Sequence, residues 1–193
     1  MKQSEKNQKS RALILTHAFA EFASHGYEGS SLNQICARGN LSKGLLYHYY
    51  KNKDALYLAC AHVLFDDMTR YLRHEIELST VTAEQYFAVR MRFSRQHPLH
   101  RQLFSDLLMF PQSRLQQEIS RCRAEFDAFN KAALQSILQK EPLRSPLSME
   151  EALLQFRSFV HFLSVYIRED AAADAEQKAN DLLQTMLYGL LAR

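Results

Sequence analysis

The sequence predicts an all-α protein in which a small N-terminal domain of three helices precedes a larger helical domain. Four of the five glycines precede residue 45, and all four prolines lie between residues 98 and 146. A β-rich protein needs turn residues throughout, so this distribution indicates long helices joined by few loops. Apolar residues at steps of three and four along most of the chain indicate the same. We expect the boundary between the domains, 1–52 and 53–193, to follow the third helix.

The first predicted helix runs from about Ser10 to Ser24. Leu15, Phe19 and Phe22 lie at positions i, i+4 and i+7, which places them on one face of a helix. Gly26 follows, and because glycine adopts positive φ without steric cost, it is a suitable residue to end this helix.

Two short helices joined by a tight turn are predicted over residues 31–50. Ser31 and Gln34 have the spacing of a capping box, which marks the start of a helix. Asn40 tolerates the left-handed conformation and ends that helix, and Ser42 can cap the next one. Two short helices with this connection are typical of a helix-turn-helix motif.

The rest of the chain is predicted to be helical apart from a loop at residues 141–146. Thr82 and Ser148 begin two further capping boxes, each with Gln or Glu three residues later. The expected helices cover residues 53–78, 82–96, 98–110, 115–137, 149–167 and 179–191.

Positive charge is concentrated in the first quarter of the chain. The whole sequence has 24 basic and 21 acidic residues and a formal net charge of +3. Residues 1–55 contain eight basic and four acidic residues, whereas the remainder has one more acidic than basic residue. A basic helix-turn-helix segment favours nucleic-acid binding. A solvated basic helical face is the alternative interpretation.

The outer face of the second short helix has an unusual composition for a solvated surface. It combines a cation, a glycine and aromatic side chains, a set that suits close approach to a DNA backbone. Ser31 and Asn52 would cap helices whose free N–H groups can bind phosphate. The residues on and beside this face are Lys43, Gly44, Leu45, Tyr47, His48, Lys51 and Lys53.

The segment from Ser31 to Leu56 resembles the N-terminal domain of the TetR/AcrR family of transcriptional regulators. That family's pattern is roughly Ile-Ala-x-x-Ala-Gly-Val-Ser-x-Gly-x-Leu-Tyr-x-x-Phe-x-x-Lys-x-x-Leu, which aligns here with residues 35–56. The resemblance implies three DNA-binding helices followed by a helical ligand-binding and dimerisation domain. It also implies a homodimeric repressor that leaves double-stranded operator DNA when a small molecule binds.

By this resemblance, the residues that would contact DNA are Ser31, Ser42, Lys43, Gly44, Leu45, Tyr47, His48, Lys51 and Lys53. Three departures from the family pattern matter. Asn40 replaces a turn glycine, and Tyr50 replaces a core phenylalanine, so its hydroxyl needs a partner or a route to water. Leu45 replaces a frequent threonine and could meet a thymine methyl group but not hydrogen-bond a base.

The last two predicted helices are apolar on more than one face. A helix of this kind is buried on two sides, which suggests a second copy of the chain as partner, although completion of a monomer core is the alternative. In the related family the dimer interface is usually a four-helix bundle from these helices. The predicted interface residues are Met149, Leu153, Phe156, Val160, Leu163, Leu183, Met186 and Leu190.

A cavity for a mostly apolar effector is expected in the larger domain, as the resemblance implies. The candidate lining residues are Met91, Phe110, Phe126, Phe159, Phe162 and Tyr166. Several basic residues could pair with an acidic group of the effector, although surface or structural roles are commoner for such residues. They are Arg92, Arg95, His97, His100 and Arg157.

Other function classes have little support in the sequence. There is no phosphate loop, nucleophile elbow or paired-carboxylate motif, so we expect no enzyme and no cofactor. His97 and His100 have metal-ligand spacing, but Pro98 intervenes and no acidic or Cys residue stands nearby in the sequence, so we expect no metal site. A helical small-molecule-binding or scaffold protein with weak DNA binding remains the alternative.

The sequence also predicts the cellular compartment of the protein. Three widely spaced cysteines form no disulfide framework, and the N-terminal segment lacks an apolar core of a signal peptide. No apolar run approaches the length of a membrane helix, so we expect a cytoplasmic protein that does not bind membranes.

Overall fold

The structure is a computed structural model that describes residues 3–140, 143–144, 146–169 and 175–190. The described residues form ten α-helices and one 3-10 turn. The helices are α1 (Gln3–Gly29), α2 (Leu32–Gly39), α3 (Lys43–Tyr49), α4 (Lys53–Glu75), α5 (Ala83–Gln96), α6 (Pro98–Met109), α7 (Gln116–Cys122), α8 (Ala124–Leu138), α9 (Met149–Glu169) and α10 (Ala175–Leu190), with the 3-10 turn at Ser113–Leu115. The predicted all-α fold is confirmed.

The chain divides into two compact units. The first contains the residues up to Asp66 together with Gln102–Arg123, and the second contains Asp67–Arg101 together with the residues from Ala124 onward. The predicted boundary after residue 52 does not coincide with this division into packing units, and the two predicted domains stay a prediction.

The first unit is built around aromatic side chains from α1 and α4. The Tyr57 ring lies 5.0 Å from the Phe22 ring and 5.0 Å from the Tyr27 ring, edge to face in both cases. Ile35 of α2 and Leu46 of α3 have no exposed surface. Burial of these side chains therefore stabilises the packing of the two short helices against α1 and against each other.

The core of the second unit lies among α5, α8, α9 and α10. Tyr86 and Phe156, whose ring centres are 6.3 Å apart, are almost completely buried, as are Ala133 and Leu183. The predicted capping box at Thr82 is complete, because the Thr82 hydroxyl accepts from Gln85 N and the Gln85 side chain accepts from Thr82 N.

Two helix boundaries differ from the sequence prediction. The first helix begins at Gln3 rather than Ser10 and continues past a break at Gly26 to Gly29. The predicted helix over residues 115–137 is interrupted at Arg123, which separates α7 from α8. Arg123 has φ −92° and ψ −2°, a conformation open to any residue, so no glycine or proline marks this break in the sequence.

Candidate nucleic-acid interface and ligand cavity

The helix-turn-helix motif is stabilised by side-chain caps at both helix starts. Ser31 Oγ accepts from Gln34 N at 3.2 Å at the start of α2, and Ser42 Oγ accepts from Leu45 N at 3.1 Å at the start of α3. Asn40 ends α2 in the left-handed conformation, with φ 47° and ψ 44°. The substitution of Asn for the family's turn glycine therefore preserves the turn.

Tyr50 follows the last residue of α3 and stands where the family pattern has a core phenylalanine. Its side chain is 5% exposed, and its hydroxyl accepts from Arg11 Nε at 3.4 Å. The Tyr50 backbone N–H donates to Leu46 O at 2.9 Å and ends the helix. The phenol thus keeps its ring in the core and its hydroxyl paired.

The outer face of α3 is open to solvent. Lys43, Gly44, Tyr47 and His48 are exposed, and Leu45 is half-buried. A Cβ atom added to Gly44 would meet nothing within 4 Å. The chain itself therefore leaves free the space above this helix, where a DNA backbone would lie.

A second cluster of predicted contacts lies at the start of α4. Asn52 Oδ1 accepts from Ala55 N at 2.9 Å and caps this helix, as predicted. Lys51 is exposed, whereas the Lys53 ammonium lies 4.2 Å from the centre of the Tyr27 ring. This cation–π contact holds Lys53 beside the helix start.

A polar network in the first unit joins α1, the start of α4 and the 3-10 turn. The Tyr27 hydroxyl donates to Asp54 Oδ1, and Arg114 Nη2 donates to both Tyr27 Oη at 2.6 Å and Asp54 Oδ1 at 3.0 Å. The hydrogen bond from Arg114 and the one from Tyr27 hold the pKa of the Asp54 carboxyl below its usual value. Burial, reinforced by Asp54, raises the pKa of Tyr27 to about 12.

A buried carboxylate lies under the helix-turn-helix motif. Glu21 of α1 has no exposed surface, and its Oε2 lies 3.1 Å from Arg38 Nη1 of α2. His25 Nδ1 lies 3.6 Å from Oε1. Neither carboxylate oxygen has a partner in hydrogen-bond geometry within the described chain, so charge attraction to Arg38 is its main compensation.

A cavity of about 670 Å³ lies in the second unit, between α5, α8 and α9. Its volume is in the range of sites for small organic molecules. The wall is mostly apolar, with a few charged and amide side chains. It is lined by Tyr86, Arg90, Phe126, Asp127, Ala128, Asn130, Lys131, Leu134, Gln135, Met149, Glu150, Leu153, Leu154 and Arg157.

The polar part of this wall is a short hydrogen-bond network. The Tyr86 hydroxyl donates to Asn130 Oδ1 at 2.5 Å, and Arg90 Nη1 donates to the same oxygen at 3.2 Å. Asn130 Nδ2 donates to Phe126 O at 2.6 Å, which fixes the amide orientation. Complete burial raises the pKa of Tyr86, so its hydroxyl remains protonated at neutral pH.

The sequence analysis missed Arg90, Asn130 and Tyr86 as cavity residues. Tyr86 and Arg90 are four residues apart, so they lie on one face of α5, and this spacing was available as a signal. Asn130 lies on α8, and no local pattern connects it with α5.

The predicted effector contacts occupy different places. Phe126 lines the cavity, whereas Met91 is buried outside its wall. Phe110, which follows α6 in the first unit, is 60% exposed. Phe159 packs 5.9 Å from the Phe87 ring, and Phe162 is 53% exposed; neither lines this cavity.

The side chain of Tyr166 lies outside the described residues. Among the basic residues considered as partners for an acidic group, Arg157 lines the cavity. Arg92 instead pairs with Glu75 at 2.8 Å. The proposed effector contacts stay predictions.

The predicted dimer residues occupy different environments in the single chain. Phe156 and Leu183 have no exposed surface in the single chain, because they fill the core of the second unit. Met149 and Leu153 line the cavity, and Met186 is half-buried. The side chains of Val160, Leu163 and Leu190 lie outside the described residues.

The histidine pair has a partner that its sequence neighbourhood does not contain. His97 and His100 rings are 5.2 Å apart, and His100 Nε2 lies 3.1 Å from Asp67 Oδ2. No acidic residue stands near the pair in the sequence, and this partner is brought to it by α4. No group of three or more His, Cys, Asp or Glu residues suited to a metal ion occurs in the described part of the chain.

Two of the three cysteines lie in surroundings that disfavour a reactive thiolate. Burial raises the pKa of both the Cys60 and the Cys122 thiol, which disfavours the thiolate. In the ranges that the structure describes, no helix combines the length and apolar character needed to cross a membrane.

Comparison with known proteins identifies the N-terminal segment. Residues 14–60 match the model of the family described as bacterial regulatory proteins, tetR family. The HTH-type transcriptional regulator RutR of Escherichia coli (strain K12) is 29% identical over 93 residues, which are 47% of this chain and 44% of RutR. The match thus spans less than half the length of that relative.

Two further comparisons extend over almost the whole chain. The HTH-type transcriptional regulator YhgD of Bacillus subtilis (strain 168) is 20% identical over 186 residues, covering 94% of this chain and 97% of YhgD. The regulator FadR of Bacillus subtilis, solved in complex with stearoyl-CoA, has a TM-score of 0.75 at 16% identity and covers 93% of this chain and 98% of FadR. The helix-turn-helix segment of this chain is thus similar to the tetR family of bacterial regulatory proteins, and the chain as a whole shares the fold of the solved regulators.

Proposed function

We propose that this protein is a homodimeric, ligand-responsive transcriptional repressor that acts in the cytoplasm. In this proposal α3 enters the major groove of a palindromic operator, and a small, mostly apolar effector bound in the larger domain causes release. Residues 1–52 are the DNA-binding domain, and residues 53–193 bind the effector and form the dimer. The protein is a regulator and not an enzyme, as the regulators it resembles indicate.

The observation that carries the DNA-binding proposal is the open outer face of α3. Lys43, Tyr47 and His48 are exposed on it, and the space above Gly44 is free of protein atoms. Phosphate contacts from Ser31, Ser42, Lys51 and Lys53 would fix the register on DNA, while base contacts from α3 would select the sequence.

The experiment is a selection of binding sites from random duplexes, followed by titration of the selected duplex at several salt concentrations. We expect a palindrome whose half-sites lie about 34–36 Å apart, as two-fold related recognition helices require. We expect the logarithm of the binding constant to fall linearly with the logarithm of salt concentration, with a slope of about −0.9 per neutralised phosphate.

Two variants separate the two kinds of contact. Lys53→Ala should weaken binding to all duplexes alike and reduce the salt slope by about one. Leu45→Ala should instead change the preference among duplexes, because in this proposal the Leu45 side chain meets a thymine methyl group. A folded protein that returns no palindrome and binds without salt dependence would contradict the proposal.

The effector part of the proposal is supported by the cavity between α5, α8 and α9. Its apolar wall includes Phe126, Leu134 and Leu153, which suits burial of an apolar molecule. FadR, of similar fold, was solved with stearoyl-CoA, a molecule with a long apolar chain.

A further inference from the structure

Among the charged residues in the wall of the cavity in the second unit, Arg90 has distinct surroundings. Lys131, Glu150 and Arg157 are exposed, so water and salt screen their charges. Arg90 and Asp127 are half-buried, and Asp127 already takes part in an interaction. The charge of Arg90 is therefore the main one available to a molecule inside the cavity.

Arg90 is held between two aromatic rings. Its guanidinium carbon lies 5.6 Å from the centre of the Tyr86 ring and 5.4 Å from that of Phe126. Such contacts position a planar guanidinium while leaving its edge accessible.

The hydrogen bonds of Arg90 do not neutralise its charge. Nη1 donates to Asn130 Oδ1 at 3.2 Å and to Tyr86 Oη at 3.4 Å, and both acceptors are uncharged. Within the described chain, Arg90 forms no ion pair and its Nη2 and Nε have no hydrogen-bond partner. A half-buried guanidinium with open donors is matched best by an oxyanion, which accepts two parallel hydrogen bonds.

Apolar side chains form the rest of the binding surface. Phe126, Leu134, Met149, Leu153 and Leu154 share the wall with Arg90. A ligand that fits both the apolar wall and the Arg90 guanidinium needs an apolar body and a single anionic end.

We propose that this cavity binds an amphipathic oxyanion, with an apolar body and a carboxylate or phosphate head that pairs with Arg90. As a statement about the effector it rests on the proposed function, because only a ligand-responsive regulator would use this binding to leave DNA. Carboxylate and phosphate present similar acceptor geometry to a guanidinium, so the head group is resolved by experiment.

The test compares four ten-carbon probes by calorimetry with the full chain: decanoate, decyl phosphate, 1-decanol and decylamine. We expect at least one of the two anions to bind at least about tenfold more tightly than 1-decanol, and decylamine to bind most weakly. The tighter of the two anions identifies the head group. Equal binding of the anions and the alcohol, tighter binding of the amine, or no binding of any probe would overturn the proposal.

Two variants assign the preference to Arg90. Arg90→Gln should bind 1-decanol as the wild type does and lose the tenfold preference for the anion. Arg90→Lys, which keeps the charge without the planar fork, should retain part of it. Arg92→Gln is the matched control, because Arg92 lies on the same helix outside the cavity wall, and it should keep the full preference. Retention of the preference in Arg90→Gln would overturn the assignment.

A separate readout distinguishes this inference from the proposed function. Binding of the selected duplex is measured without probe and then with the tighter anion, which should release the duplex from the wild type but not from Arg90→Gln. Duplex binding without any preference for an anion rejects the inference alone. An Arg90-dependent preference in a protein that binds no duplex rejects the proposed function and leaves the cavity assignment standing.

Discussion

Arg114 Nη2 donates to Asp54 Oδ1 at 3.0 Å and thereby ties the 3-10 turn to the first turn of α4. Asp54 directly follows Lys53, a proposed phosphate contact. The side chains of Arg114 and Asp54 are 55% and 31% exposed, so water screens this ion pair and its contribution to stability is small. We expect the main effect of this pair to be on the orientation of the start of α4.

We therefore expect Arg114→Gln to weaken binding of the selected duplex about three- to tenfold and to change the melting temperature little. The measurement is a fluorescence-anisotropy titration beside a thermal unfolding curve. Arg73→Gln is the matched control, since Arg73 is about as exposed as Arg114 and the substitution breaks its pair with Glu125 in the second unit. Equal duplex affinities of Arg114→Gln and wild type would show that this contact does not orient α4.

The same network makes stability depend on pH at acidic values. Hydrogen bonds from Arg114 and Tyr27 hold the pKa of Asp54 below its unfolded value, so the folded protein favours the ionised carboxyl. This contribution is present above the unfolded pKa of about 4 and is lost as pH falls through the lower folded pKa.

The check is the difference in free energy of unfolding between wild type and Asp54→Asn, measured by urea unfolding from pH 6 to pH 2.5. We expect this difference to favour the wild type above about pH 4 and to shrink below it. A difference that stays constant over this range would mean that Asp54 has the same pKa folded and unfolded.

The fold requires a glycine at residue 26 but not at residue 44, and substitution by alanine tests this difference. Gly26 has φ 66° and ψ 178°, and an added Cβ would lie 2.7 Å from Asp106 Oδ1. We expect Gly26→Ala to lower the free energy of unfolding by about 2–4 kcal/mol. Gly44 is helical, and its added Cβ meets nothing, so Gly44→Ala should raise it by up to about 1 kcal/mol.

For duplex affinity, Gly44→Ala should be the more harmful of these two substitutions. Gly44→Ala places a methyl group on the face proposed to approach DNA, so its affinity should fall although its stability does not. Thermal unfolding and duplex titration of both variants provide the measurement. Unchanged affinity in Gly44→Ala would argue against close approach of the backbone at that residue.

The buried pair of Glu21 and Arg38 is a stability determinant of the helix-turn-helix motif. Arg38→Ala leaves a carboxylate with no exposed surface without its ion partner, and we expect it to cost about 1–3 kcal/mol. In a Glu21→Leu background the same substitution should cost less than about 0.5 kcal/mol. Urea unfolding of the wild type, the two single variants and the double variant gives the coupling energy between Glu21 and Arg38. A coupling energy near zero would show that this pair does not contribute to stability.

The local features of the fold could be predicted from the sequence because they depend on neighbouring residues. The caps at Ser42, Asn52 and Thr82 and the left-handed Asn40 each arise from a residue type at a fixed spacing. The family pattern then placed residues 35–56 on the helix-turn-helix motif. These elements formed as expected.

The remaining features depend on residues far apart in the chain. Tyr86 and Asn130 are separated by 44 residues, and Tyr27 and Arg114 by 87. Hydrophobic periodicity identifies which residues are apolar, but not which of two apolar faces fills the core. Phe156 was therefore assigned to a dimer interface although it has no exposed surface in the single chain.

The exposed surface of α9 gives the last prediction, which concerns the proposed dimer. Phe162 lies on α9, a helix predicted to be apolar on more than one face, and 53% of its side chain is exposed in the single chain. Because a charge buried in an apolar interface without a partner costs several kcal/mol, Phe162→Glu should convert the dimer to a monomer at micromolar concentration. Leu13→Glu, at a similarly exposed leucine of α1, should leave the dimer intact. Sedimentation velocity measures the masses, and a dimeric Phe162→Glu protein or a monomeric wild type would refute an interface at this face of α9.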